Sequence, residues 1–457
     1  METLYILVPY LFMICINVDE RQGSRNREFV TDPSGTFITH TCPLLPPIST
    51  CTSVPFGFHW AVDYCSNGRW SYERGTFRHL EMAPLDEPDL LRSTIFFLRS
   101  WLISFEFSMM SSKEALSLKI LPRNLAVPYW KVSQRLGLPP ILTHADAVLA
   151  NWKKRDPHGP FDIENLELLF TLPGGDSVRG FFMVTLLVEL AAVPAIKSIP
   201  LVINGVQCGD AETVISALEE ISQAMEGMTD ALKLLHAYVK PDVFYGIIRI
   251  YLSGWKDNSS MPAGLVYEGI QAEPMEYSGG SAAQSSLLHC FDELLGVKHE
   301  DNCGAFLTRM RNYMPSSHKH LIQDISLQPS LRGFVQQEAS ELLTAAFQLC
   351  VTKLMALRSY HINVVSCFIT VPAARARQLR RQGNSSQEET VSRAPTALEE
   401  TGTGGSGIMS FLKTVRDRTR DVSLPLDNRA MQKSTDGAQP QNTQYTTHQT
   451  HLQTNTF

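Results

Sequence analysis

The sequence predicts an all-α protein. Three observations carry that prediction. Apolar residues recur at steps of three and four over long stretches, strand signals are few and never alternate with helices, and no internal repeat is present. The most regular stretch runs from Glu341 to Val371. Leu343, Phe347, Cys350, Leu354, Leu357, Val364 and Phe368 fall on one stripe that must face a core.

His361 lies on that stripe, where the pattern expects a leucine. A buried imidazole needs a partner. Two readings fit: a core histidine bonded to a carbonyl, or a ligand aimed from a rigid helix into an apolar, cofactor-sized space. A single histidine suits haem, which needs one proximal ligand, better than zinc, which needs three or four. Arg358, about one turn earlier, could face a haem propionate.

The remaining elements follow in order. Residues 1–113 lack clear periodicity, and the sequence predicts loose packing there. LPRNLAVPYWKVSQRLGLPPI predicts a helix with Pro128 near its first turn, stopped by Gly137 and the Pro139–Pro140 pair. HADAVLANW predicts another. After a loop-rich stretch from Pro157, GFFMVTLLVELAAV predicts a helix buried almost all round. A long amphipathic helix is expected over Glu212–Val239, followed by the apolar DVFYGIIRIYLSGW with Arg249 in its middle. A Gly-Gly turn at Ser278–Ser281 leads into AAQSSLLHCFDELLGV. Further helical segments lie around Phe306–Met314 and Leu331–Gln337. From Val371 the chain turns polar, and residues 372–407 are expected to form a mobile loop ending in GTGGSG, a hinged flap rather than a phosphate cradle because the Walker lysine is missing. After Val422 the Gln-, Asn- and Thr-rich text predicts a disordered tail. The organisation read from this is a smaller helical domain over 1–172, a larger one over 173–421 and the tail over 422–457.

Composition bounds the function. The chain has 457 residues, 44% of them apolar, and a formal charge of −6, which gives no reason to expect nucleic acid. Nine cysteines without a CxxC pair suit a reducing compartment, and His40, Cys42, Cys51, His59 and Cys65 match no zinc spacing. The apolar run near Met1 lacks a signal peptide's basic start and cleavage site and is short for a membrane span. The expectation is a soluble, cytoplasmic chain with no membrane partner.

LPRNLAVPYW, HADAVLANWKKRDP, RGFFMVTLLVE, RIYLSGWKDN, GLVYEG, SGGSAAQSS, LRSYH and GTGGSGIMSFLKTVRD together resemble the indoleamine 2,3-dioxygenases, and the resemblance runs from Leu116 to Thr419. Thr185 and His144 resemble the second of the family's two vertebrate paralogues more than the first, which typically has Ser and Tyr there. Residues 1–113 do not resemble the family's N-terminal helices. The resemblance implies two helical domains with haem b between them, and a monomer that uses O2 to open the indole ring of L-tryptophan and related indoleamines, giving N-formylkynurenine in tryptophan catabolism and immune regulation. It implies that His361 is the proximal iron ligand, that Arg358 and Asp292 lie on the propionate side, and that Phe181, Phe244 and Arg249 form the distal substrate pocket, with Thr185 at its small hydroxyl position. His144, Ala147 and Val148 match the inner wall that holds the indole. Gly280, Ser281 and Ala282 match the turn over the haem edge. Gly402, Thr403, Gly404 and Gly405 match the loop that closes on the amino-acid end of the substrate. A competing reading takes VPYWKV around Tyr129 and LVYEGI around Tyr267 as phosphotyrosine motifs of a weakly active or inactive signalling adaptor, read by SH2-type domains.

Overall fold

The computed structural model describes residues 120–256, 258, 261–382 and 407–425, together with an antiparallel hairpin of β1 (Arg27–Thr31) and β2 (Phe37–Thr41). The expected loose packing of the first 113 residues otherwise lies outside the described residues, as do Gly402–Gly405. The described body is helical, as predicted. Its strands are two-residue pairs: β3 (Ile120–Leu121) runs parallel to β6 (Val266–Tyr267), and β4 (Lys153–Lys154) antiparallel to β5 (Leu166–Glu167).

The first helix, α1 (Arg123–Leu136), starts a turn earlier than its proline suggests, so Pro128 sits inside it; Gly137 closes it in a left-handed conformation at φ 64°. Next come α2 (Asp176–Ala191), α3 (Val193–Cys208) and α4 (Ala211–Lys233). The periodicity did not reveal α3, because Pro194 and Pro200 interrupt its pattern. Pro194 falls in the first turn, where no intrahelical N–H bond is lost, and Pro200 is buried inside the helix. Asp210 caps α4 by accepting from the Thr213 amide. Short helices α5 (Leu235–Tyr238) and α6 (Pro241–Val243) lead through a π turn at Phe244–Ile248 into α7 (Arg249–Leu252). The chain then forms a 3₁₀ turn at Ala282–Gln284, α8 (Ser286–Leu295), α9 (Asp301–Arg311), α10 (Ser316–Ser326) and α11 (Leu331–Glu338). The predicted stripe lies on α12 (Glu341–Val365), which Ser340 caps and which continues through a π turn at Ser366–Thr370 into α13 (Val371–Gln382). The last helix is α14 (Ile408–Arg420).

Two expectations change. Residues 371–382 are helical, where the sequence reading began a mobile loop at 372. Ala, Arg, Gln and Leu are good helix formers, and Ala373 and Ala376 are buried on one side, so the polarity marks a solvated face. The expected tail also begins later, because Val422 and Leu424 enter the core and the Leu424 amide donates to Gln348 Oε1 at 2.9 Å.

Helix α4 packs against α2, α3 and α12, and this contact carries the largest apolar core. Leu343, Phe347, Cys350 and Leu354 of the stripe belong to it. The stripe then leaves that core: Val364 and Phe368 join a second cluster with Ala147, Val148, Trp152, Phe182 and Leu252. The stretches Asp176–Cys208 and Glu341–Arg381 are long and apolar enough to cross a membrane, and their buried faces supply these two clusters. A third cluster buries Tyr129, Trp255 and Tyr267.

Candidate functional site

Residues of the first two clusters line a cavity. The empty space there, open solvent at its mouth included, is about 1710 Å³. The three π turns among the described residues, at 145–149, 244–248 and 366–370, bring side chains to its wall: Ala147 and Val148, Phe244, and Phe368 with Ile369. A π turn shifts the register of a helix by one residue and often marks a functional site. The segment HADAVLANW, expected as a helix, is only such a turn, anchored by the Thr143 amide donating to Asp146 Oδ2 at 2.9 Å.

On one side stands α12. His361, Arg358, Leu357, Val364 and Val365 line the cavity from it. The His361 imidazole makes no hydrogen bond or ion pair with any described residue. Burial alone pulls its pKa down to about 4, so at neutral pH the ring is uncharged with a lone pair free. Arg358 is anchored differently. Its Nη2 donates to both carboxylate oxygens of Asp292, at 2.7 and 2.8 Å, and its Nη1 to the Thr419 hydroxyl on α14. His299 completes the group, with Nε2 2.8 Å from Asp292 Oδ2. Burial works against the Asp292 charge, but Arg358 and His299 outweigh it and hold the carboxyl below its usual range. Arg358 Nε, buried, has no hydrogen-bond partner. A neutral imidazole without a partner and a buried cationic N–H one turn away are what a haem requires, an axial ligand and a contact for a propionate. The residues present therefore fit that group.

Helix α2 supplies Phe181, Thr185 and Glu189. Gly180 precedes them because α5 passes so close that a Cβ there would strike the Tyr238 carbonyl. The rings of Phe181 and Phe244 meet tilted at 49° with 4.9 Å between centroids, and Phe244 meets Phe368 edge-on at 5.9 Å. The Thr185 hydroxyl donates to the Phe181 carbonyl at 2.7 Å, leaving only its oxygen to face a ligand. Arg249 lines the cavity, 1% exposed, with its guanidinium 5.6 Å from the Tyr245 ring. Burial draws its pKa down to about 10, so it stays charged at neutral pH.

The inner wall holds polar groups. His144 Nε2 lies 2.9 Å from Glu189 Oε1, which also accepts from the Ser285 hydroxyl at 2.6 Å. The turn of Gly280, Ser281 and Ala282 closes this side. Its approach to α7 leaves no room for a Cβ at Gly279 or Gly254, and Gln284 fixes it by donating to the Gly279 carbonyl while accepting from the His144 amide. Ile408, Phe411 and Leu412 of α14 also line the cavity.

A sequence model of the family described as Indoleamine 2,3-dioxygenase matches residues 67–422. The chain belongs to this family. The match starts well before Leu116, so part of the segment expected to diverge from the family's N-terminal helices belongs to it as well. The chain is 50% identical over 306 residues to indoleamine 2,3-dioxygenase 2 of Mus musculus (67% of this chain, 73% of the relative) and 48% identical over 311 residues to that of Homo sapiens (68% and 75%). It is also 36% identical over 304 residues to a myoglobin of Haliotis madaka (66% and 74%). As a member of the indoleamine 2,3-dioxygenase family the chain is a haem-dependent dioxygenase, an oxidoreductase with an all-α fold.

Twelve of the predicted site residues line the cavity together: His144, Ala147, Val148, Phe181, Thr185, Phe244, Arg249, Gly280, Ser281, Ala282, Arg358 and His361. Asp292 stands behind Arg358. Sequence reasoning missed Glu189, Gln284, His299 and Thr419. Glu189 alone left a signal, a carboxylate four residues after Thr185 in an otherwise apolar helix. The phosphotyrosine reading fails on burial: Tyr129 and Tyr267 are 1% and 0% exposed, and the Tyr267 hydroxyl donates to the Pro140 carbonyl at 2.7 Å and accepts from Trp255 at 3.1 Å. The folded protein offers neither hydroxyl to a kinase.

Proposed function

We propose that the chain inserts O2 across the indole C2–C3 bond of L-tryptophan to give N-formylkynurenine, with haem b held by His361. The observation that carries this is the unpartnered, neutral His361 imidazole in a cavity that also contains a buried guanidinium. Haem, when bound, supplies the redox-active iron at which O2 is activated. His361 would hold the iron, and Arg358, fixed by Asp292, would meet a propionate. The remaining residues bind and orient. Phe181 and Phe244 exclude water and pack the indole, which is electron-rich at C2–C3 and needs no strong base to react. Thr185, its proton given to its own helix, leaves an acceptor rather than an acid in the pocket. Arg249 suits the substrate carboxylate, whose two oxygens its planar fork can take together.

An oxygen carrier is the second reading, favoured by the similarity to a protein named myoglobin. Dioxygen is uncharged and has no use for a buried guanidinium, whereas an amino-acid substrate does. The test is a product assay on haem-loaded protein under reducing conditions. Stoichiometric N-formylkynurenine from L-tryptophan supports the dioxygenase; reversible O2 binding without product would refute it.

A further inference from the structure

The inner wall carries an acceptor that the proposed reaction leaves unused. Glu189 lines the cavity from the last turn of α2, with its side chain 13% exposed, and the apolar Val188 and Leu288 line the same cavity. Its Oε1 takes both available bonds, from the Ser285 hydroxyl and across to His144 Nε2. Its Oε2 has no hydrogen-bond partner among the described residues. Burial disfavours the charge, yet His144 and Ser285 more than offset it and keep the carboxyl below its usual range, so at neutral pH the group is an anion that can only accept. Gln284 holds the His144 backbone in place and Ser285 is buried, so the wall is rigid.

We propose that Glu189, braced by His144 and Ser285, selects indoles that carry a hydrogen-bond donor on the six-membered ring, hydroxytryptophans above all. The inference rests on reading the cavity as the tryptophan pocket, with the indole against the inner wall. A ring hydroxyl there gives Oε2 its missing donor. A ring C–H or C–F that covers Oε2 takes away its access to water without supplying a donor, the situation in which protein sites discriminate most strongly.

The test uses haem-loaded protein and near-isosteric probes: 5- and 6-hydroxy-L-tryptophan against 5- and 6-fluoro-L-tryptophan, with L-tryptophan as reference, and dissociation constants from calorimetry. The wild type is expected to bind at least one hydroxy compound roughly ten- to a hundredfold more tightly than its fluoro counterpart. Glu189→Gln keeps the volume but turns a donor toward the ligand, and should bring the ratio to within about twofold. Equal constants for both hydroxy–fluoro pairs in the wild type overturn the proposal without any variant. So does a ratio unchanged in Glu189→Gln, or an equal loss for every ligand, which would assign the carboxylate to the indole N–H or to the fold. If L-tryptophan itself neither binds nor reacts, the proposed function fails; if it does both and the hydroxy–fluoro ratio is one, only the selectivity fails.

Discussion

Two histidines line the same cavity in opposite circumstances. His361 stands on an apolar helical stripe with no partner, and burial drives its pKa down. His144 is bonded to a carboxylate at 2.9 Å and held through its own amide by Gln284. One wall is therefore built to leave a lone pair available, the other to hold a polar group still. Ligands and positioning groups are not distinguished by residue type, which both histidines share, and His361 is the less buried of the two. They are distinguished by whether the protein has already satisfied the ring.

The same contrast separates His361 from Arg358 one turn away, and it can be broken there. Asp292→Asn leaves a buried guanidinium without its counter-charge. The expected loss is about 3–5 kcal/mol, seen as a lower midpoint in denaturant unfolding. The Asp292 carboxyl is held below the unfolded value near 3.9, so its contribution is present above that pH and lost as pH falls through the folded pKa. The variant's acid-unfolding curve should be flatter in that window; a curve superimposable on the wild type would show the pair to be idle.

Arg249→Ala sharpens the comparison from the substrate side. A hydrogen bond to a charged group is worth about 1.5–3 kcal/mol, so kcat/KM for L-tryptophan should fall roughly ten- to a hundredfold with the haem spectrum unchanged. Indoles without a carboxylate should lose much less. An equal fall for both would assign Arg249 to the fold.

The smallest effect belongs to a group that does not line the cavity. Tyr267→Phe removes a buried hydroxyl bonded to Pro140 and Trp255, at a cost of about 1–2 kcal/mol in stability. It should lower the thermal midpoint by a few degrees and leave kcat/KM untouched; a change in catalysis would mean that this core is coupled to the site.

The sequence showed what periodicity can show. The α12 stripe and its odd histidine were legible because a helix must bury one face and an imidazole on it stands out. Gln284 and Thr419 were not, because their importance comes from contacts across the chain: Thr419 meets Arg358 from sixty-one residues away, and Gln284 meets His144 across one hundred and forty. Helix α3 was hidden by prolines that its first turn and buried face tolerate. Helix α13 was hidden by arginines that mark exposure rather than disorder. Tyr129 and Tyr267 matched a pattern of apolar neighbours that burial explains better than signalling.

The central claim is that His361 is left unsatisfied in order to bind haem iron. The direct measurement is a haemin titration of apo-protein, wild type beside His361→Ala, following the Soret band with far-UV dichroism as the control for folding. The account predicts saturation at one equivalent in the wild type, and a variant that keeps its helical signal but neither retains haem nor gives the wild-type band. A folded His361→Ala protein with the same stoichiometry and the same spectrum would contradict it.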